Sequence, residues 1–464
     1  MRYVSTRGEA PDLEFEDVLL TGLARDGGLY VPDSWPVFDD AEFQAFAELD
    51  YPALAARVMA PFVSDALPED HYKSLIDNTY NGFDHPDIAP LQQIGEGEWL
   101  LELFHGPTLA FKDFALQLLG RLFDYALARR GERRTIVVAT SGDTGSAAIE
   151  AFRDKQNLDI FVLHPAGRVS EVQRRQMTTV LSDNVRNLAV EGSFDDCQAL
   201  VKAMFNDLKF RDSMRLSAVN SINWARVMAQ TVYYIKAAAA LGRTGRPVAF
   251  SVPTGNFGDV YAGYVAKCAG LNVSQLVVAT NRNDILAQVL STGEYRIGTV
   301  EPTMSPSMDI QVASNFERLL FKIYGHDGVA VKRLMTELQT NGVFRLSIDA
   351  LNQARQMFDA RRIDEGETLA TIASVYQDSG VVIDPHTAVG VAAGRACRHY
   401  SGQPIVMLAT AHPAKFPDAI TKATGIVPDL PPCLADVHQR PERYDTLTAD
   451  LDAIKSYISS NAAH

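Results

Sequence analysis

Lys112 lies in the stretch L-F-H-G-P-T-L-A-F-K-D-F at 103–114, between Phe111 and Asp113, with Phe114 next. The apolar-periodic segment behind it, 115–128, closes at Gly131, so the lysine falls in the first turn of a helix. A helix dipole is positive at that end and disfavours a cation. The flanking phenylalanines desolvate an ammonium and disfavour its charge as well. An amine kept neutral in this way is a nucleophile suited to Schiff-base chemistry. The same local sequence also suits an ordinary lysine whose head reaches solvent past two core rings. The rest of the chain must therefore supply the other parts that such chemistry needs.

Four more stretches concentrate polar groups at strand ends. S-G-D-T-G-S at 141–146 follows a buried run and opens a helix. Its backbone N–H groups, hydroxyls and glycines form either an anion cradle or a turn capped by Asp143 or Thr144. T-G-N-F-G-D at 254–259 repeats that context. It is not G-x-G-x-x-G and lacks a P-loop lysine, so it suits a phosphate outside a dinucleotide or nucleoside triphosphate. A-T-A-H-P-A-K at 409–415 ends the last apolar strand with Thr410 at its tip, His412 reading as a turn residue and Lys415 as a solvated helix residue. N-S-I-N-W-A-R at 220–226 precedes a helix, and Arg226 reads either as an anion ligand or as half of a surface ion pair. Asp384, in G-V-V-I-D-P-H-T-A, reads as a helix N-cap. A lysine at a helix start, two anion cradles and a strand-tip threonine together fit pyridoxal 5′-phosphate. That cofactor needs an amine for its aldehyde, a cradle for its phosphate and a partner for its ring nitrogen.

The elements that position these residues alternate regularly from Lys112 onward. Helices are expected over 112–130, 170–180, 195–210, 224–241 and 386–395, and strands over 135–139, 160–163, 185–190, 248–252, 276–279 and 405–409. This is an α/β chain of β-α-β units: two open, mostly parallel sheets flanked by helices, with ligands beyond the carboxyl ends of the strands. The expected division is an N-terminal region 1–105 packing on the large domain, a smaller α/β domain 106–241 with Lys112 and the SGDTG loop, and a large α/β domain 242–464. The last carries the TGNFGD loop and a C-terminal extension, and the active site lies between the domains. Residues 242–247 read as a polar hinge, 291–308 as a surface excursion, 332–362 as charged and helical, and 380–385 as a short strand and turn. Beyond 429 the pattern gives Pro-rich turns and one terminal helix.

The formal net charge of −14 on 464 residues argues against a nucleic-acid or anionic-membrane partner. Four scattered cysteines show no metal-ligand spacing and read as reduced thiols, with no metal site expected. With no basic-then-apolar leader and no apolar run long enough to span a bilayer, a cytoplasmic protein is expected.

In this order the motifs F-H-G-P-T-L-A-F-K-D-F, A-T-S-G-D-T-G-S-A, V-P-T-G-N-F-G-D and L-A-T-A-H-P-A-K-F resemble the threonine synthases, pyridoxal-phosphate enzymes of fold type II. Y-V-S-T-R-G, D-G-G-L-Y-V-P and N-S-I-N-W-A-R resemble them too, and the likeness is to the branch shared by bacteria and fungi. It runs from Met1 to about Gly425, and the segment beyond carries no recognised motif. The resemblance implies conversion of O-phospho-L-homoserine and water to L-threonine and phosphate by γ-elimination and β-addition, the last step of threonine biosynthesis. It implies Lys112 as the residue that binds the cofactor covalently and works as catalytic acid and base. It gives Phe111, Gly255, Asn256, Phe257, Gly258 and Asp259 to the cofactor, and Thr410 to its ring nitrogen. Ser141, Gly142, Asp143 and Thr144, with Ser221, Asn223 and Arg226, go to the substrate. Asp143 stands where relatives outside this branch often carry Asn. A serine/threonine dehydratase-like lyase, or a catalytically silent metabolite-binding relative, shares the lysine and the cradle. Oligomeric state, monomer or dimer, stays open.

Overall fold

The computed structural model describes residues 1–242, 247–398 and 403–463, so most of the expected hinge, residues 243–246, lies outside the described residues. Two sheets organise the chain. The smaller is wholly parallel, in spatial order Leu216–Ser217, Arg134–Ala139, Leu158–Pro165, Val185–Glu191 and Asp445–Thr448, with the last two paired. The larger runs Phe358–Arg362, Val273–Thr280, Val248–Pro253, Ile405–Ala409, Glu98–Glu102 and Leu91–Gly95. It is parallel except for the final hairpin pair. Helices cover both faces, so the central strands Leu158–Pro165 and Val248–Pro253 are buried along their whole length. This is why they read as continuous apolar runs without alternation.

The chain does not feed the sheets in sequence order. The hairpin Leu91–Gly95/Glu98–Glu102, from the first 105 residues, completes the larger sheet. The strand Asp445–Thr448 reaches back to the smaller one, and Ile454 and Ile458 of the helix Leu451–Asn461 join its core beside Cys197 and Met204. The opening motifs are ties of the same kind. Thr6 Oγ1 donates to Glu317 Oε1 at 2.7 Å and Arg7 pairs with Glu317 at 2.9 Å, fastening the first strand to the helix Phe316–Ile323.

Several expected elements differ. The helix over 195–210 is two, Phe194–Asn206 and Leu208–Ser213, because Asp207 accepts from Phe210 N–H at 3.1 Å and caps a new start. The region 332–362 is not all helix: it contributes the short strand Val343–Arg345 and the edge strand Phe358–Arg362. No strand forms at 380–385, where Asp384 caps the helix Pro385–Ala396. The stretch 291–308 is no mere excursion, for it turns inward and buries Ser305 and Met308.

The helix Lys112–Arg130 packs against Asp143–Phe152 through Gly120, where a Cβ would collide with the Ala151 carbonyl oxygen. Backbone cannot yield as a flexible side chain does. Gly120→Ala is therefore expected to destabilise the chain by about 1–3 kcal/mol, read as a lower urea midpoint at unchanged slope.

Candidate active site

Lys112 is the first residue of its helix. Fully buried Asp113 ties the preceding turn to that helix: its carboxylate accepts from Thr108 N–H and Thr108 Oγ1, both at 2.8 Å, and from Gln117 Nε2 at 3.3 Å. Phe111 N–H donates to the Thr410 carbonyl at 2.9 Å, which sets the lysine beside the tip of the strand Ile405–Ala409. Lys112 Nζ then lies 3.2 Å from Asp143 Oδ2, 3.2 Å from Ser307 Oγ and 5.2 Å from the Phe111 ring centroid. Burial pushes its amine below the usual lysine range. Nearby Lys415 and Arg226 act in the same direction, and Asp143 opposes them.

Asp143 is shared between two lysines. Its Oδ1 is 2.7 Å from Lys415 Nζ and accepts from Gln173 Nε2 at 2.8 Å. The cations Lys112 and Lys415 hold its carboxyl well below the usual carboxylate range despite complete burial. Lys415 is not the solvated residue its sequence suggests. It is 0% exposed and also donates to the Thr108 carbonyl at 2.9 Å. Ser307, from the stretch 291–308, completes the cluster, its Oγ lying 3.2 Å from Asp143 Oδ2. Its N–H donates to His386 Nε2 at 3.2 Å, and His386 Nδ1 lies 2.7 Å from Asp384 Oδ1. With Nε2 accepting, the imidazole proton sits on Nδ1 and is given to the helix-capping Asp384. Ser307, His386 and Lys415 were missed as site residues. Proline punctuation hid Ser307, and only the position of His386 just after a cap hinted at it.

The T-G-N-F-G-D loop forms the opposite wall with Thr410, Arg226 and Met308. Phe257 takes a left-handed conformation, φ 63°, and the helix Gly258–Cys268 starts immediately after it. Asn256 O accepts from Asn315 N–H at 3.1 Å and from Asn315 Nδ2 at 3.0 Å, fixing the loop. Among the described residues none of the N–H groups of Gly255, Asn256, Phe257 and Gly258 donates within the protein. Free amides at a helix N-terminus are a phosphate cradle, so the residues present fit pyridoxal phosphate. Gly255 is required by close approach, since a Cβ there would lie 2.7 Å from the Ser307 carbonyl oxygen. Gly255→Ala is expected to weaken cofactor binding by about tenfold or more, read by titrating apoenzyme with pyridoxal phosphate and following absorbance.

Arg226 is 3% exposed, with Nη1 donating to the Val219 carbonyl at 3.3 Å and Nε buried without a partner. Burial lowers its guanidinium to about 10. Ser221 sits at the cradle, where Asn315 Nδ2 donates to its Oγ at 3.4 Å. Asp259 lines the cavity, yet its Oδ1 is taken by the hydroxyls of Tyr233 and Tyr234, and Oδ2 is buried without a partner. Burial raises its carboxyl to about 6. A raised carboxyl contributes stability that is present below the unfolded value, near 3.8, and lost as pH rises through about 6. Asp259→Asn is thus expected to become relatively more stable than the parent from pH 4 to 7, by on the order of 2–3 kcal/mol, measured as paired urea midpoints.

Five expected substrate residues, Ser141, Gly142, Thr144, Ser221 and Asn223, do not line this cavity. Asn223 is fully buried and spent on structure: Nδ2 donates to Leu19 O at 2.8 Å and Ala218 O at 3.2 Å, and Oδ1 accepts from Ala225 N–H at 3.1 Å to cap the helix Trp224–Ala240. Gly142, at φ 138°, abuts Gln173, and Thr144 occupies the first turn of the helix Asp143–Phe152. Ser141 lines an adjoining cleft with Arg168, Gln173 and Met304.

A buried lysine at the carboxyl ends of parallel strands, facing a free amide cradle, defines a pyridoxal-phosphate-dependent enzyme of fold type II. The family "Pyridoxal-phosphate dependent enzyme" accordingly matches residues 86–334. "Threonine synthase N terminus" matches 2–80 and "Threonine synthase, C-terminal" matches 387–458, so the likeness extends past Gly425 through the strand that completes the smaller sheet. The chain is 55% identical to a threonine synthase of Pseudomonas aeruginosa, covering 99% of this chain and 98% of that one. The structure of PLP-bound threonine synthase from Brucella melitensis superposes with a TM-score of 0.96 at 52% identity, covering 100% of both chains. That of yeast threonine synthase gives 0.92 at 39%, covering 99% and 98%. The chain belongs to the threonine synthases, pyridoxal-phosphate-dependent lyases of threonine biosynthesis.

Proposed function

We propose that this cavity converts O-phospho-L-homoserine and water to L-threonine and phosphate, with Lys112 as covalent cofactor anchor and repeated proton carrier. The observation that carries the reading is a buried amine, Lys112, in one cavity with an amide cradle and a guanidinium, Arg226, whose Nε lacks a partner. Pyridoxal phosphate, when bound, supplies the electron sink that allows protons to leave carbon next to the substrate amine.

Lys112 takes the α proton, and burial, which pushes its amine below the usual lysine range, favours the proton-free form that this step requires. Asp143 keeps Lys415 as a partner when Lys112 moves away, so no carboxylate is left bare. With both oxygens engaged by cations and Gln173, Asp143 orients the lysine and does not bind the substrate carboxylate, which it would repel. That carboxylate enters from the cleft at Ser141, toward the amides of Ser141 and Thr144. Gly255, Asn256, Phe257 and Gly258 would hold the cofactor phosphate, and Thr410 would serve as partner to its ring nitrogen. Arg226, with Ser221, receives the departing phosphate as its charge develops. Closure of the smaller module on the larger one excludes water early and admits it late.

Phosphate release from O-phospho-L-homoserine, measured against ammonia release from threonine, tests this reading. Matching yields of phosphate and threonine are expected. Ammonia from threonine with no phosphate release would assign the site to a dehydratase.

A further inference from the structure

A second cleft lies at the amino end of the smaller sheet, away from Lys112. It is lined by Arg25, Arg134, Arg211 and Arg215, with Thr21 and a single acid, Asp212. Arg134 opens the strand Arg134–Ala139 and Arg215 immediately precedes Leu216–Ser217. The active-site loop at Ser141 leaves the opposite end of that six-residue strand, roughly 20 Å away. Four guanidiniums around one cleft are unexpected on a chain of net charge −14, where acids outnumber bases.

Their pairing is incomplete. Arg211 Nε meets Asp212 at 3.4 Å, a pair whose carboxylate is mostly in solvent. Arg134 Nη2 meets Glu132 at 2.7 Å, but its Nε is buried with no partner. Among the described residues the side chains of Arg25 and Arg215 make no ion pair or hydrogen bond. Arg25 and Arg215 are exposed at the cleft, open to an incoming anion, and a guanidinium fork matches phosphate and carboxylate oxygens.

The cleft is also built in advance. Ser217 Oγ donates to the Leu20 carbonyl at 3.1 Å, and a Cβ at Gly22 would lie 2.7 Å from the Ala218 carbonyl oxygen. The segment carrying Arg25 is thereby seated against the strand that follows Arg215, so the backbone of the cleft is fixed before binding and only the arginine side chains have to be ordered. The volume, about 250 Å³, suits a compact molecule and not a polymer.

We propose that this cleft is a binding site for a small polyanion, a molecule carrying a phosphate ester or clustered carboxylates, distinct from the site of threonine formation. Calorimetry on the holoenzyme with inorganic pyrophosphate in one arm and citrate in the other tests it, comparing the parent with the double variant Arg25→Ala/Arg215→Ala. Saturable binding by the parent is expected, falling as salt is raised, and weakened by about tenfold for each guanidinium removed. The kcat/KM for threonine formation should stay unchanged. Preference for pyrophosphate assigns the phosphate class, and preference for citrate the polycarboxylate class. Binding that survives both substitutions, as an anion held only in the active site would, overturns the proposal. So does weak, non-saturating uptake alike in both proteins, which marks an adventitious ion only.

Discussion

Lys112→Ala is expected to lose covalent cofactor attachment and at least about a thousandfold of threonine formation, while folding as the parent does. On the proposed reading two functions rest on one amine, cofactor anchorage and proton transfer, so no neighbour replaces both. Lys415 is the only other lysine in the cluster among the described residues. It is committed to Asp143 Oδ1 at 2.7 Å and to the Thr108 carbonyl at 2.9 Å. The cradle at Gly255–Gly258 is untouched, so the variant still takes up pyridoxal phosphate, reversibly and with the spectrum of the free aldehyde. Dialysis followed by absorbance separates this from a parent that keeps its cofactor. Substantial turnover by the variant would remove Lys112 from the mechanism.

Asp143→Ala is expected to carry the largest stability change, about 3–5 kcal/mol in the apoenzyme. The substitution leaves two buried ammonium groups, Lys112 and Lys415, facing each other without the carboxylate they share. The sign with pH follows from the depressed carboxyl. Its contribution is present above the unfolded value, near 3.8, and disappears as pH falls through the lower folded value. The gap between parent and variant should therefore be full at pH 7 and close under strong acid. Adding Lys415→Met to Asp143→Ala should recover much of the loss, because the uncompensated charge leaves with the lysine. A double variant no more stable than the single one would show that Asp143 acts through packing alone.

The sequence exposes those parts of the site that are local. The first-turn position of Lys112 follows from apolar periodicity ending at Gly131, and the cradle follows from glycines set between an apolar strand and a helix. What stayed hidden depends on contacts between distant segments. Lys415 looks like any lysine after a proline turn until Asp143 is brought to it from the other module. Ser307 sits in a stretch with no periodicity, and only the fold turns it inward between Lys112 and His386. Asn223 fails in the opposite sense. It belongs to a recognisable motif, but its amide is consumed by Leu19 and Ala218, so its identity serves the helix start and not the ligand. The sheets show the same limit. Parallel pairing was legible from alternating strands and helices, whereas the return of Asp445–Thr448 to the smaller sheet was not, because its residues lie at an edge and are largely exposed.

On the proposed mechanism Lys112, and not its buried neighbour Lys415, carries the cofactor. Borohydride reduction of the holoenzyme, followed by proteolysis and mass mapping of the pyridoxyl label, tests it directly. One label per chain on the peptide containing Lys112 is the result expected. A label on the peptide containing Lys415, or none that reduction can fix, would contradict the account.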